Sequence, residues 1–311
     1  MLHRTRTLVA ALTLSSVGLA SCGSSTSPSS TSAAPSATST PSSLPAQRVD
    51  AAAAALLPAS IRTAGTIRFA TITGLPPGES LAGDPPRLVG LDIDLGTALA
   101  QVLGTKASFT AVVFATILPS VSAGSFDAGI SSISDTPARQ QIVSFVDYLR
   151  AGESLFVAAG GPTRLAGLAA LCGKSVAVLS GTVEQQELVT QSATCASSGS
   201  PPIKILTYPG QPAATRAVLA HTAEVGFIDQ PIVDSLVASS KGALVISGQP
   251  FNVVPYGIAT AKDGPLAPPL LAALKVLIRN GTYAQILDRW GASAEAETAP
   301  TINGAAPASG S

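Results

Sequence analysis

An α/β architecture follows from three features of the chain. Short β-prone runs alternate with helical runs between about residues 66 and 291, and that alternation argues for a largely parallel sheet covered by helices. The two ends of the chain break the pattern and are rich in Ser, Thr, Ala, Pro and Gly. No repeat with a period of a few tens of residues is present, which sets solenoids and propellers aside.

The run TIRFATI (66–72) alternates apolar and small residues and predicts the first strand. GLDIDLGTALAQVLG (90–104) predicts a helix with Leu95, Leu99 and Val102 on its apolar face and Gly104 at its end. Asp92 or Asp94 would cap it; two acids at a strand-to-helix junction read as cap and dipole partners rather than as acid/base or metal groups. ASFTAVVF (107–114) and FDAGISSI (126–133) are strands on either side of a short helix at 115–124. A second set follows, with strands at 154–159, 174–181, 203–208 and 224–229 and helices at 165–173, 182–193, 211–220 and 231–239. FNVVPYGIAT (251–260) is a further strand. Two closing helices, 267–281 and 282–291, place Leu270, Leu274, Leu277 and Ile278 on one face.

The 311 residues hold 18 basic and 18 acidic side chains, so the net charge is zero. A balanced chain offers no basic excess for nucleic acid. Neither a CxxC pair nor a phosphate-binding glycine loop occurs, and His3 and His221 are far apart; no metal site and no cofactor is expected. No Ser/His/Asp or Cys/His set is evident, which argues against an enzyme.

Arg4 and Arg6 precede an apolar run over residues 8–20. That pattern reads as a secretory signal, too short to span a bilayer. LASCG (19–23) resembles the lipobox of bacterial lipoproteins. The resemblance implies a signal over residues 1–21, lipidation with palmitate-type chains at Cys22, and tethering to the outer face of the cell membrane. Residues 22–57 then read as lipid anchor and disordered linker, and residues 292–311 as a disordered tail. In an exported protein Cys172 and Cys195 suggest a disulfide, the alternative being two free core thiols.

Four stretches, in order, resemble the extracellular solute-binding proteins (family 3) of polar-amino-acid ABC importers: GLDIDLGTALAQVLG, ILPSVSAGSFDAGISSISDTPARQQIVSFVDY, LCGKSVAVLSGT and LIRNGTYAQILDRWG. The resemblance covers about residues 66–291. It implies a two-lobed periplasmic-binding-protein type II fold with two crossing hinge strands. Residues 58–152 plus 254–291 would form lobe 1 and residues 153–253 lobe 2, with an amino acid held between them. The implied partners are that ligand and the membrane subunits of an ABC permease, and the protein is expected to be a monomer.

Site residues come from the same resemblance. Arg139 falls on the carboxylate-binding arginine, and its guanidinium suits a bidentate fork. Ser134 falls on the hydroxyl that also meets the carboxylate, and Ser132 on the residue whose carbonyl takes the ammonium. Thr182 and the backbone of Val183 match a second carboxylate donor, though Thr182 also reads as a plain helix cap. Asp229 matches the ammonium-binding carboxylate; the alternative is another helix N-cap, since Pro231 suits a first helical turn. Ile72, Leu75, Phe114 and Leu179, with Ile228, make the side-chain end apolar, so a neutral side chain is expected. Glu184 and Glu187 are assigned to a solvated helix face. Glu79, Asp84 and Arg87, in the proline-rich loop 74–90, are the groups able to alter that pocket. Two other functions share the features: a cyclohexadienyl-type dehydratase of the same fold, and a sensory lipoprotein serving no importer.

Overall fold

The structure, a computed structural model, describes residues 44–304. The proposed leader, Cys22 and the linker up to residue 43 lie outside the described residues. The strands are β1 (Thr66–Thr71), β2 (Ser80–Ala82), β3 (Arg87–Val89), β4 (Lys106–Ala111), β5 (Ala128–Gly129), β6 (Val143–Ala158), β7 (Ser175–Leu179), β8 (Lys204–Tyr208), β9 (Val225–Asp229) and β10 (Leu244–Ala261). The helices are α1 (Ala51–Ala55), α2 (Ala59–Ala64), α3 (Leu91–Val102), α4 (Ile117–Ser122), α5 (Val183–Ser197), α6 (Gln211–Leu219), α7 (Gln230–Ser239), α8 (Ala267–Arg279) and α9 (Thr282–Trp290).

The main sheet runs β4-β1-β5-β10-β6-β9-β7-β8. It is parallel at both ends, where β1 joins β4 and β5, and β7 joins β8 and β9. Its centre is antiparallel, through β5–β10, β10–β6 and β6–β9. The expected largely parallel sheet is therefore mixed. The cause is connectivity: β6 carries the chain out of the first half and β10 brings it back, so the two strands must oppose each other. They pair from Val143 opposite Ala261 to Ala158 opposite Leu244, with register shifts between Ser247 and Val254. β5 attaches near Ala259 and Thr260, and β9 attaches at Glu153–Phe156. Two groups of elements thus hang from opposite ends of one crossing ribbon. Only parts of β6 and β10 were legible as strands. In β6 every residue but Arg150 is buried, so no polar face supplies the alternation that marks a strand.

One apolar core lies under α1, α2, α3, α8 and α9 and holds Phe69, Leu95, Leu99, Tyr148, Leu270, Leu274 and Leu277. Another, in the second half, holds Val176, Leu188, Phe227 and Cys195. There Cys172 and Cys195 are bonded, with Cα atoms 5.6 Å apart, fastening the end of α5 to the turn before β7. A third cluster contains Ile72, Leu75, Phe114 and Ile133 together with Leu179, Ile228 and Ala214, and so joins residues of both halves.

Three expectations need correction. Residues 44–57 are not wholly a linker: Asp50 caps α1 by accepting from the Ala53 N–H, and Ala53 and Leu57 are buried. An alanine run helical on one buried face is indistinguishable by composition from a flexible spacer. Residues 292–304 are not a free tail either. Ala296 bridges to Leu149 and Ile302 to Val146, and the Thr301 carbonyl accepts from the Asp147 N–H at 3.0 Å. This segment covers the edge of β6 that β9 leaves open, satisfying backbone groups that would otherwise stay unpaired. Finally, neither Asp92 nor Asp94 caps α3. Its N-cap is Gly90, at φ 148°, where a Cβ would lie 1.9 Å from the Gly78 carbonyl oxygen. The close crossing of residues 78–79 demands glycine there and moves both acids into the first turn.

The C-terminal segment also surrounds Asp147, whose Oδ2 accepts from the Gly304 N–H at 2.8 Å and from Thr301 Oγ1 at 3.3 Å. Burial, then the neighbouring Asp135, pushes the Asp147 carboxyl up to about 7. A raised carboxyl pKa means the folded state holds its proton more tightly than the unfolded chain does. That contribution is complete below the ordinary aspartate range and is lost as pH rises through about 7. Asp147→Asn is expected to flatten the fall in melting temperature between pH 5 and pH 8. Scanning calorimetry across that range, giving the same slope for both proteins, would contradict this account.

Candidate functional site

The stretch ISSISDTPAR (130–139) leaves β5, turns, and ends in a short helical turn that begins at Arg139. Two anchors hold the turn. The Ser132 N–H donates to Asp92 Oδ2 at 2.8 Å while Ser132 sits at φ 46°; Tyr148 Oη donates to Asp92 Oδ1 at 2.7 Å. A non-glycine residue in the left-handed region is strained and persists only where its surroundings hold it. Asp92 supplies that hold, from inside α3. Beneath it, Ser131 Oγ donates to Glu79. Burial, then the charge of Asp92, pushes Glu79 well above the carboxylate range. Glu79 does reach the underside of the turn; Asp84 and Arg87 are exposed.

Arg139 reaches across the two halves. Its Nη1 donates to the Ser134 carbonyl at 2.8 Å and its Nη2 to the Gly181 carbonyl at 3.2 Å. The guanidinium carbon lies 6.0 Å from the centroid of Phe114, within cation–π range. Burial lowers the Arg139 pKa, and the charges of Glu184, Asp229 and Asp135 oppose that shift.

The second half closes the arrangement. Thr182 caps α5: its Oγ1 accepts from the Gln185 N–H at 3.3 Å and donates to the Leu179 carbonyl at 2.9 Å. Its cap role is therefore observed. Val183 begins α5 beside it. Asp229 occupies the N-cap position of α7 but makes no capping hydrogen bond. It is 5% exposed and hydrogen-bonds with Tyr256 and Glu184. Burial, then the neighbouring Glu184, pushes Asp229 well above the carboxylate range.

The structure thus brings Arg139, Ser134, Asp229, Thr182, Val183 and Phe114 to one place. Ile72, Leu75 and Leu179 join Phe114 in the apolar cluster between the halves. Ser132 sits at the base of the turn with its N–H held by Asp92. Two further groups were missed. Glu184, expected on a solvated face, is 1% exposed and lies against Arg139, Asp229 and Thr182. As a polar residue on an amphipathic helix it read as solvated; only its facing across the cleft distinguishes it. Tyr256, from β10, is buried beside Asp229. Glu187 is half-buried: Asn252 Nδ2 donates to Glu187 Oε1 at 3.0 Å and to Glu153 Oε2 at 3.1 Å. Burial, then a hydrogen bond with Glu187, raises Glu153 to about 11.

The halves touch directly. Gly181, at φ 85°, faces Ala115 so closely that a Cβ would fall 2.7 Å from the Ala115 Cβ. A cavity of about 200 Å³ opens beside this contact, lined by Phe114, Ala115, Ile133, Arg139, Ile142 and Gly181 among others. A larger groove of about 710 Å³ runs from Thr163–Gly167 to Gly248–Phe251; none of the site residues lines it. Gly181→Ala is expected to hold the halves apart. Small-angle scattering should give a larger radius of gyration than for the unsubstituted protein, and identical radii would remove the contact from the account.

Residues 67–293 match the model of the bacterial extracellular solute-binding proteins, family 3. The chain is 32% identical over 238 residues to the arginine-binding protein ArgT of Corynebacterium glutamicum, covering 76% of this chain and 78% of that one. It is 28% identical over 240 residues to the lysine/arginine/ornithine-binding periplasmic protein of Escherichia coli, covering 72% and 87%. An ancestral arginine-binding protein bound to arginine superposes with a TM-score of 0.67 at 28% identity, over 73% of this chain and 98% of that one. An ancestral amino acid-binding protein, described as a precursor of cyclohexadienyl dehydratase, superposes at 0.62 with 27% identity, over 74% and 97%.

Proposed function

The chain belongs to the bacterial extracellular solute-binding proteins of family 3, and from that premise we propose that it captures an amino acid between its two lobes for delivery to an ABC permease. One observation carries the reading. A guanidinium and a buried carboxyl, Arg139 and Asp229, approach each other from opposite halves. They are the complementary groups that an amino-acid zwitterion requires. A free amino acid brings a carboxylate and an ammonium, and burying either without a partner costs several kcal/mol. Arg139, the Ser134 hydroxyl and the N-terminus of α5 at Thr182 and Val183 take the carboxylate. Asp229 and the Ser132 carbonyl take the ammonium. Lobe 1 comprises residues 58–152 plus 254–291 in this reading and lobe 2 residues 153–253, with β6 and β10 as the hinge.

On the side chain, two readings compete. Ile72, Leu75, Phe114 and Leu179 favour a neutral group. The buried Glu184 favours a cationic one, as do the names of relatives that bind arginine, lysine and ornithine. The protein acts as a receptor, not as an enzyme, and returns its ligand unchanged. Acyl chains on Cys22 tether it to the membrane.

Calorimetry over a panel of the common amino acids tests the capture. One or a few should bind, and Arg139→Ala should weaken that binding by at least ~10-fold, as expected when one partner of a desolvated charge pair is removed. Unchanged affinity in Arg139→Ala, or chemical conversion of the ligand, would sink the reading. Metabolic lipid labelling of the protein and of Cys22→Ala tests the tether; equal incorporation rules it out.

A further inference from the structure

The turn that carries Arg139 is clipped to the crossing ribbon by backbone bonds. The Gly257 N–H donates to the Ile133 carbonyl at 2.9 Å and the Asp135 N–H to the Pro255 carbonyl at 2.8 Å, with Ser134 bridged to Tyr256 between them. Asp135 is thereby fully buried. Gln140 Nε2 donates to Asp135 Oδ1 at 2.8 Å. Asp135 also hydrogen-bonds with Asp147 of β6, which is buried too.

Asp147 belongs at the same time to the C-terminal strap, residues 296–304. Its carboxyl accepts from the Gly304 N–H and the Thr301 hydroxyl, and its own N–H donates to the Thr301 carbonyl. Next to it, the Phe145 N–H donates to Asn303 Oδ1 and the Asn303 N–H to the Phe145 carbonyl. A series of hydrogen bonds therefore runs from Gly304 through Asp147 to Asp135. Arg139 is tied to its end, because its Nη1 donates to the carbonyl of Ser134, the neighbour of Asp135. The capture reading uses neither of these two acids.

Two carboxyls hydrogen-bond to each other only while one of them carries a proton; with both ionised they repel. Burial, then Asp135, raises the Asp147 carboxyl to about 7, so that proton leaves in the neutral range. The charged groups around the pair come from three sides. Arg139 faces Asp135. Lys262 Nζ donates to the Gln140 carbonyl at 2.8 Å and lies 4.0 Å from Asp263. Along the strap, Arg150 and Glu297 are 3.8 Å apart. When the pair is doubly ionised, repulsion pushes the turn away from β6, and the added charge competes with a ligand carboxylate for Arg139.

We propose that Asp135 and Asp147 are positioning residues for ligand capture, a protonated carboxyl pair through which the C-terminal strap holds the arginine turn in place. The inference rests on the capture reading and adds a regulation to it: affinity falls when the pair loses its proton. Linkage fixes the sign. Capture favours the protonated pair, so binding is strongest on the acid side and weakens as pH rises through about 7.

Calorimetry with the common amino acids at pH 6 selects the probe, the one that binds tightest; histidine and cysteine are excluded because both titrate near this range. The affinity for that probe should be at least ~5-fold lower at pH 8, the low end of coupling between linked sites. Asp147→Asn keeps the shape and donates an amide hydrogen to Asp135 at either pH. It should hold the pH 6 affinity at pH 8, bringing the ratio close to one, whereas Asp147→Ala should bind weakly at both. Gly304→Ala changes the strap alone, and its Cβ would press on Asp147 Oδ2 and Thr301 Oγ1; it should lower the affinity at pH 6. Equal affinity at the two pH values overturns the proposal and leaves capture intact. So does a pH dependence that persists in Asp147→Asn, or full affinity in Asp147→Ala or Gly304→Ala. Binding of no amino acid at all overturns the capture reading itself and this inference with it.

Discussion

A guanidinium drawn out of water must be given partners, and the placement of Arg139 organises the rest of this molecule. Two of its donors go to carbonyls, one at Ser134 in its own turn and one at Gly181 across the cleft. Its charge is opposed by acids from both sides. For those contacts to coexist, the ISSISDTPAR turn must hold its strained shape, which Asp92 secures through the Ser132 N–H. The first turn of α5 must also stand opposite, where Gly181 permits an approach that any side chain would block. A change in any of these reaches Arg139, because a buried charge weighs more than the neutral contacts around it.

The crossing ribbon of β6 and β10 makes the opposition possible. The two strands contribute to both halves, so the halves are joined by backbone hydrogen bonds rather than by a flexible linker. β10 departs from regular pairing between Ser247 and Val254 and again between Tyr256 and Gly257. Nearby, Glu153 of β6 pairs with Asp229 of β9, which ties the ribbon to the site. Residues 296–304 close the remaining open edge of β6. That segment lies wholly beyond residue 293, where the family match ends.

Much of this was legible in the residues. β1, α3, β4, α5, β8, α6, β9, α7, α8 and α9 all lie where periodicity and turn chemistry put them. Of the residues the resemblance singled out, Arg139 donates to the Ser134 carbonyl, lies near Phe114 and is approached by Asp229; their binding roles are a proposal. The failures have a common source. Asp92 was given a cap and dipole role, and Glu184 and Glu187 a solvated helix face, because such arguments see only the local chain. Residues 44–57 and 292–304 were dismissed on composition, although Leu57 and Ile302 find apolar partners far away in sequence.

The sequence by itself determined the alternation of strands and helices, the turn that carries a lone arginine, and the cysteine pair, since these depend on residue type and short spacing. Tertiary structure alone decided which acids are buried, which strands run antiparallel, and what the last residues do. Burial and strand direction arise from contacts between segments a hundred residues apart, and no local pattern encodes them. Glu184 shows the difference most clearly: read from sequence it sits on a solvated helix face, whereas in the fold it is buried and faces Arg139 and Asp229.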